Sequence, residues 1–245
     1  MFFFNRNKTV LKDLIPDNHI DFHSHLLFGI DDGARTFEDT LSLTKAMMGF
    51  GVKEFITTPH IIQHVWENNS EIITKKKEDV VSLLKKSNIS IPFKAAAEYL
   101  MDDHFVKLFQ SEPLLTLKDN YVLVEMSYIN APIQLYDIIF DLQVAGYKPV
   151  LAHPERYVFY HKNFSEYSKL KKSGCLFQLN ILSTVGYYGE SVFVAAKKLL
   201  ESGMIDFVGS DVHHKKHIDA FEKKVDIKDL APLKEALSKN QFFAS

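Results

Sequence analysis

The sequence predicts an α/β fold of parallel strands, and three observations predict it. Short apolar runs alternate with amphipathic stretches from one end of the chain to the other. Glycines stand just beyond several amphipathic stretches, where a helix C-terminus favours a left-handed residue. Six of the apolar runs end in a histidine or a carboxylate, and the C-terminal ends of parallel barrel strands converge on one mouth.

Taken in order, strands are expected over 19–23, 53–58, 91–98, 121–126, 147–153, 175–180 and 205–210. Between the first two, Thr36-Phe-Glu-Asp39 opens a helix as a capping residue with an acid three positions on. Leu41, Leu43, Ala46, Met47 and Phe50 make its apolar stripe, and Gly51 ends it. Ser70 opens a second helix running to about Lys86, with Ile73, Val80, Val81 and Leu84 facing the core. Pro132 suits a first helical turn, where its missing N–H costs nothing. Leu135, Ile138, Ile139 and Leu142 then repeat at helical spacing before Gly146. Stretches 164–172 before Gly174 and 190–202 before Gly203 repeat the arrangement. After His213 no clear strand follows, and Asp219 to Leu237 suggests one or two closing helices.

The chain has 245 residues, 46% of them hydrophobic and 24% charged, the balance of a globular protein with a large core. No linker, low-complexity tract or repeat divides it, so one domain over 1–245 is expected, with 1–16 an N-terminal extension and 214–245 a helical segment. A net charge of −2 gives no electrostatic footprint for nucleic acid. The lone Cys175 excludes an internal disulfide and fits a reducing compartment. Met1-Phe-Phe-Phe4 is too short for a signal-peptide core, and no apolar run reaches about 18 residues. A cytoplasmic protein without stable membrane insertion is expected, and its oligomeric state is left open.

The chemistry concentrates at the six run ends: His23-Ser-His25, His60, Glu98, Glu125, His153 and Asp211-Val-His213. Imidazoles and carboxylates together suit Zn, Mn or Fe rather than a soft thiolate site. An H-x-H pair alone is better explained as a polar loop edge; six coincident strand ends are not. Asp31 and Asp32 lie in the first loop, where Asp-Gly is also a turn signal. Arg156 is one of three arginines and follows His153 by three residues, so its planar fork suits a phosphate. Arg35 is a weaker candidate for the same contact. Cys175 begins an apolar run with Ile at position 181, so no cysteine-phosphatase loop is present. Ser24 and Ser210 lack a G-x-S-x-G elbow and fit backbone-bonding roles. Tyr187 and Tyr188 could line an aromatic substrate pocket or simply occupy an exposed turn.

These residues resemble a family. The order His-x-His, His, Glu, Glu, His, Asp-x-His is similar to the polymerase and histidinol phosphatase (PHP) superfamily of metal-dependent phosphoesterases. Asp21-Phe-His-Ser-His25, Phe28-Gly-Ile-Asp-Asp-Gly-Ala34, Ala152-His-Pro-Glu-Arg-Tyr157 and Gly209-Ser-Asp-Val-His213 resemble more closely the PHP-type protein-tyrosine phosphatases of bacterial capsule and exopolysaccharide clusters. The resemblance covers about residues 17–213. It implies a distorted seven-stranded (β/α) barrel of the PHP type and three divalent ions, Mn first, with Fe or Zn as alternatives. It further implies one ion on His23, His25, Glu98 and Asp211, a second on Glu98, Glu125 and His153, and a third on Asp32, His60 and His213. Asp32 is preferred over Asp31 because the match aligns the acid directly before Gly33. The implied activity is hydrolysis of phosphotyrosyl proteins, the tail of a bacterial tyrosine kinase among them. The alternative is a PHP phosphatase acting on a small ester such as histidinol phosphate.

Overall fold

The computed structural model of the protein describes residues 9–245, so the phenylalanines at the N-terminus and Arg6 lie outside the described residues. In chain order the elements are β1 (His19–Asp21), α1 (Phe37–Gly49), β2 (Val52–Thr57), β3 (His60–Ile61), α2 (Ser70–Lys86), β4 (Phe93–Ala95) and β5 (Glu98–Leu100). There follow α3 (Asp103–Ser111), β6 (Tyr121–Glu125), α4 (Leu135–Val144), β7 (Lys148–Ala152), α5 (Ser165–Lys172), β8 (Leu176–Asn180), α6 (Glu190–Glu201), β9 (Phe207–Gly209), α7 (Lys215–Ala220) and α8 (Ala231–Lys239). All strand pairs are parallel, in a sheet ordered β1-β2-β4 and a second ordered β3-β5-β6-β7-β8-β9.

Seven expected strands thus become nine, because 91–98 divides into β4 and β5 and β3 adds a short strand just beyond the expected 53–58. After Thr57 the amide of Thr58 turns to Ser24 O (2.8 Å) and Pro59 has no N–H to give, so pairing resumes only at His60, now against Glu98. The run 91–98 breaks in step at Ala96-Ala97, with Ala96 N donating to Thr57 O (2.9 Å) and Glu98 N to Pro59 O (3.1 Å). The break shifts His60 and Glu98 into the larger sheet.

The helices start where capping chemistry calls for them. Thr36 and Asp39 form a reciprocal capping box at α1, and Asn69 caps α2 through Ile72 N. Pro132 differs from expectation: it lies in a turn ahead of α4, accepting from Leu135 N (3.2 Å), and the helix proper begins at Leu135. Helix α3 has no counterpart among the expected elements. Asp102 caps it through Phe105 N, and its buried stripe is only Phe105 and Phe109. Among the described residues no helix is long and apolar enough to cross a membrane.

Between the first and last strands the seam is made mostly by side chains and loops. Asp211 N donates to His23 O (2.7 Å) and His25 N to Val212 O (2.9 Å), and Ser24 and Val212 form an isolated parallel bridge. Lower down, fully buried Asn240 donates to Ile20 O (3.0 Å) and Val208 O (2.7 Å) and accepts from Val208 N (3.2 Å). One small buried cluster draws on both sheets, with Ile20, Ile56, Leu123, Val150 and Phe207 capped by Phe243. Phe243 packs on Phe22 (4.3 Å between ring centroids) and Phe207 (4.8 Å) at the end where the strands begin. The remaining core lies between the sheets and the helices. The opposite end, where the strands finish, is free to carry polar side chains.

Candidate metal centre

The strand ends gather their ligands onto one buried floor. Glu98, fully buried, stands at its middle. Its Oε2 lies 3.2 Å from His23 Nε2, 3.4 Å from His25 Nε2 and 3.3 Å from His60 Nδ1, and its Oε1 lies 3.0 Å from His153 Nε2. Asp211 Oδ1 faces the same pair, 3.3 Å from His23 Nε2 and 3.4 Å from His25 Nε2. His60 Nδ1 is also 3.1 Å from Glu125 Oε1. At the rim, half-exposed Asp32 holds Oδ1 3.5 Å from both His60 Nε2 and His213 Nε2.

The backbone is bent to aim these groups. His153 (φ 36°), straight after β7, and Asp211 (φ 50°), two residues beyond β9, sit in the left-handed region. Such conformations persist where surrounding structure over-determines them, which is common at functional sites. Two glycines leave room for the histidines. A Cβ on Gly33 would meet His25 O at 2.3 Å, and one on Gly209 would meet His23 Cβ at 2.7 Å.

Outer hydrogen bonds select the nitrogen that faces the floor. His23 donates through Nδ1 to Gln178 Oε1 (2.6 Å), His25 through Nδ1 to Asp31 Oδ2 (2.8 Å) and His213 through Nδ1 to the Asp211 carbonyl (2.8 Å). Each Nε2 is left turned inward, the atom through which such an imidazole would bind a metal. Among the described residues, buried His25 Nε2 and His60 Nδ1 have no partner in hydrogen-bond geometry. Burial, the largest influence, would lower His23, yet Glu98 and Asp211 pull it up to about 10. Burial would likewise raise Glu98 and Asp211, but His23 beside each holds both well below the carboxylate range. The floor therefore calls for positive charge, and the donors fit divalent ions.

Ligand atoms come within 4.8 Å of one another in three groups: His23, His25, Glu98 and Asp211; His25, Asp32, His60 and His213; and His60, Glu98 and Glu125. The first is the set implied for one ion, and the second is the set implied for another with His25 added. In the third, His60 stands where His153 was expected. The cause is the break before β3, which turns His60 Nδ1 between the two glutamates.

Above the floor lies a cavity of about 570 Å³. Arg156 projects into its side, clasped between the rings of Tyr128 (4.6 Å) and Tyr188 (4.2 Å), and donates from Nη1 to Asp211 Oδ2 (2.9 Å). Asn180 donates to the same carboxylate oxygen (2.8 Å).

Residues 19–222 match the family described as capsular polysaccharide synthesis, CpsB/CapC. The chain belongs to the CpsB/CapC family. It is 30% identical over 198 residues to the tyrosine-protein phosphatase YwqE of Bacillus subtilis, covering 80% of this chain and 78% of that one. It is 28% identical over 203 residues to the tyrosine-protein phosphatase CpsB of Streptococcus pneumoniae, covering 80% and 83%. It also superposes on a crystal structure from work on YwqE and CpsB, described as unique metal-dependent tyrosine phosphatases. There the TM-score is 0.76 at 29% identity, covering 82% of this chain and 84% of that chain. A histidinol phosphate phosphatase from Lactococcus lactis shares the fold at a TM-score of 0.51 and 13% identity, covering 93% and 94%.

In this CpsB/CapC chain all nine expected ligands stand at the same end of the sheets. The weaker substrate candidates divide. Tyr188 lines the cavity, whereas Tyr187 turns onto the His217 ring (4.9 Å between centroids). Arg35 is exposed and lies outside the cavity, in an adjoining groove with Asp32 and Lys216, because its backbone is drawn into the α1 capping turn. Cys175 is buried. Gln178, Asn180, Tyr128 and His217 are contributors that strand-end logic passes over. Gln178 and Asn180 do leave a trace: both are polar, fully buried and two apart on β8, hence on one face.

Proposed function

We propose that this CpsB/CapC chain is a metal-dependent tyrosine-protein phosphatase acting in capsule or exopolysaccharide synthesis. One observation carries the proposal: nine imidazole and carboxylate groups converge on the floor and rim of an open cavity with an arginine at its side. His23, His25, Glu98 and Asp211 would hold one ion, and Asp32, His60 and His213 another. Glu98, Glu125 and His153 would hold a third, with His60 close by. Mn²⁺ is the first candidate, with Fe or Zn as alternatives. Bound divalent ions would supply a water activated near neutral pH and positive charge beside the phosphoryl oxygens.

The chain's own residues do the rest. Arg156 presents a planar guanidinium whose orientation is set by two tyrosine rings and Asp211, leaving N–H groups for two phosphoryl oxygens. Gln178, Asp31 and the Asp211 carbonyl hold three imidazoles in one tautomer. Tyr128, Tyr188 and His217 wall the cavity around the ester.

The substrate we propose is a tyrosine-phosphorylated cytoplasmic protein, a tyrosine kinase tail among the candidates. We further take residues 1–245 as one domain whose described residues form a distorted barrel. That view is supported by the Ser24–Val212 bridge and by the buried cluster common to both sheets. Turnover of a phosphotyrosyl peptide and of histidinol phosphate, each with Mn²⁺ and with EDTA, tests the function. Metal-dependent preference for the peptide is expected; preference for histidinol phosphate would overturn it.

A further inference from the structure

The cavity has two kinds of lining. Arg156, Tyr188 and the histidines share it with the apolar Ile62, Trp66, Leu100 and Ile129. None of these four is among the residues of the hydrophobic core or packed against it, and Ile129 is 85% exposed. Among the described residues the Trp66 indole makes no hydrogen bond and no ring or cation contact. Among the described residues these four apolar side chains therefore line the cavity outside the hydrophobic core.

Their position follows from strand geometry. Leu100 lies two residues beyond Glu98 on β5, and Ile62 lies two beyond His60 at the end of β3. In extended chain, residues two apart share a face. The same face therefore carries a ligand group deep in the site and an apolar group one step outward. Trp66 is brought over this face by a tight turn: Ile62 N donates to Trp66 O (3.0 Å) and Trp66 N to Ile62 O (2.9 Å), with His64 at φ 66°. Asn68 ties the turn to the metal loop, donating to His60 O (2.8 Å) and Ile30 O (2.9 Å). The backbone of the turn that carries Trp66 is thus tied to the loops that carry the ligands.

Resting on the phosphatase function above, we propose that this apolar lining receives the phenyl ring of the phosphotyrosyl group, and that Trp66 determines the preference for aryl over alkyl phosphate esters. In an aryl phosphate the ring starts one oxygen away from phosphorus, so a phosphoryl group on the floor places the ring against the residues one step outward. An alkyl ester such as phosphoserine offers no flat apolar face there. Aromatic pairs prefer offset or edge-on contact, which an indole lining the cavity can make.

Trp66 is the sole tryptophan, so its emission reports on this lining directly. The full chain, loaded with Mn²⁺, is titrated with benzylphosphonate and with ethylphosphonate. A saturable change in emission with benzylphosphonate and none with ethylphosphonate is expected; equal responses, or none, overturn the proposal. In kinetics, Trp66→Ala lowers the ratio of kcat/KM for a phosphotyrosyl peptide over that for a phosphoseryl peptide by about tenfold, and Trp66→Phe restores most of it. A ratio within about twofold of the parent in a folded Trp66→Ala overturns the role of Trp66 while leaving the phosphatase function standing. A parent that fails to hydrolyse the phosphotyrosyl peptide at all removes the function, and this inference with it.

Discussion

Arg156 and Asp211 share a hydrogen bond that carries a consequence for catalysis. The guanidinium is fixed before substrate arrives, so its remaining donors meet the phosphoryl group without reorganisation. Removing one such preorganised donor typically costs about 10²–10³ in kcat. Arg156→Ala is expected to lose that much, and Arg156→Lys to lose activity too, because an ammonium lacks the fork. Metal content should hold, since Asn180 still donates to Asp211; rapid kinetics beside elemental analysis checks both. The histidine supports act differently. Gln178→Ala and Asp31→Ala free the Nδ1 atoms of His23 and His25, so metal affinity should fall by about 10–100-fold, read by competition with a chelator. Cys175 has no part in this chemistry: burial, opposed by Lys171, pushes its thiol up to about 12. Cys175→Ser should keep full activity and the native thiol should resist alkylation, while EDTA should abolish turnover. An inactive but folded Cys175→Ser would falsify the metal-based chemistry.

At the scale of elements, the run of strands, the helix starts at Thr36 and Ser70, and the placement of ligands at strand ends were legible because each rests on local chemistry. Capping at Thr36 needs only Asp39 three positions on, and alternation of apolar runs with helical stripes needs only neighbours in sequence. The division of 91–98 and the added β3 were not legible. Pro59 is visible in the sequence, but the matching break at Ala96-Ala97 depends on pairing between segments about forty residues apart. With it went the placement of His60 between Glu98 and Glu125. Helix α3 was missed because its stripe is two phenylalanines and its cap, Asp102, sits in a run of acids that reads equally as a loop. Gln178 and Asn180 were hidden for a third reason: their partners, His23 and Asp211, come from distant strands. Gly33 is a place where an element's geometry can be tested. Gly33→Ala has to push His25 aside, so metal loading should fall although the substitution adds one methyl group.

Across the whole molecule, Asn240 does the work of a missing ladder. Its amide satisfies Ile20 O and both backbone groups of Val208 inside the seam. Asn240→Leu would leave those groups buried without partners, at about 1–3 kcal/mol each. A fall in stability of more than about 2 kcal/mol is expected in denaturant titration, and a loss below about 0.5 kcal/mol would remove the seam role. Phe243→Ala opens the end of the small cluster and should cost about 3–5 kcal/mol, with the distant ligand floor still binding metal in the folded fraction.

The same asparagine sets a clock on the nascent chain. Ile20 and Asn240 stand 220 positions apart. Translation at about 5–20 residues per second separates their appearance by roughly 10–45 s. Throughout that interval the first strand has been made and its seam partner has not, and His23 and His25 wait nearly as long for Asp211. A ribosome-bound chain halted before residue 211 would carry seven of the nine ligands, lacking Asp211 and His213, with apolar strand edges still open, a species for chaperones to shelter and for stray cations to find first.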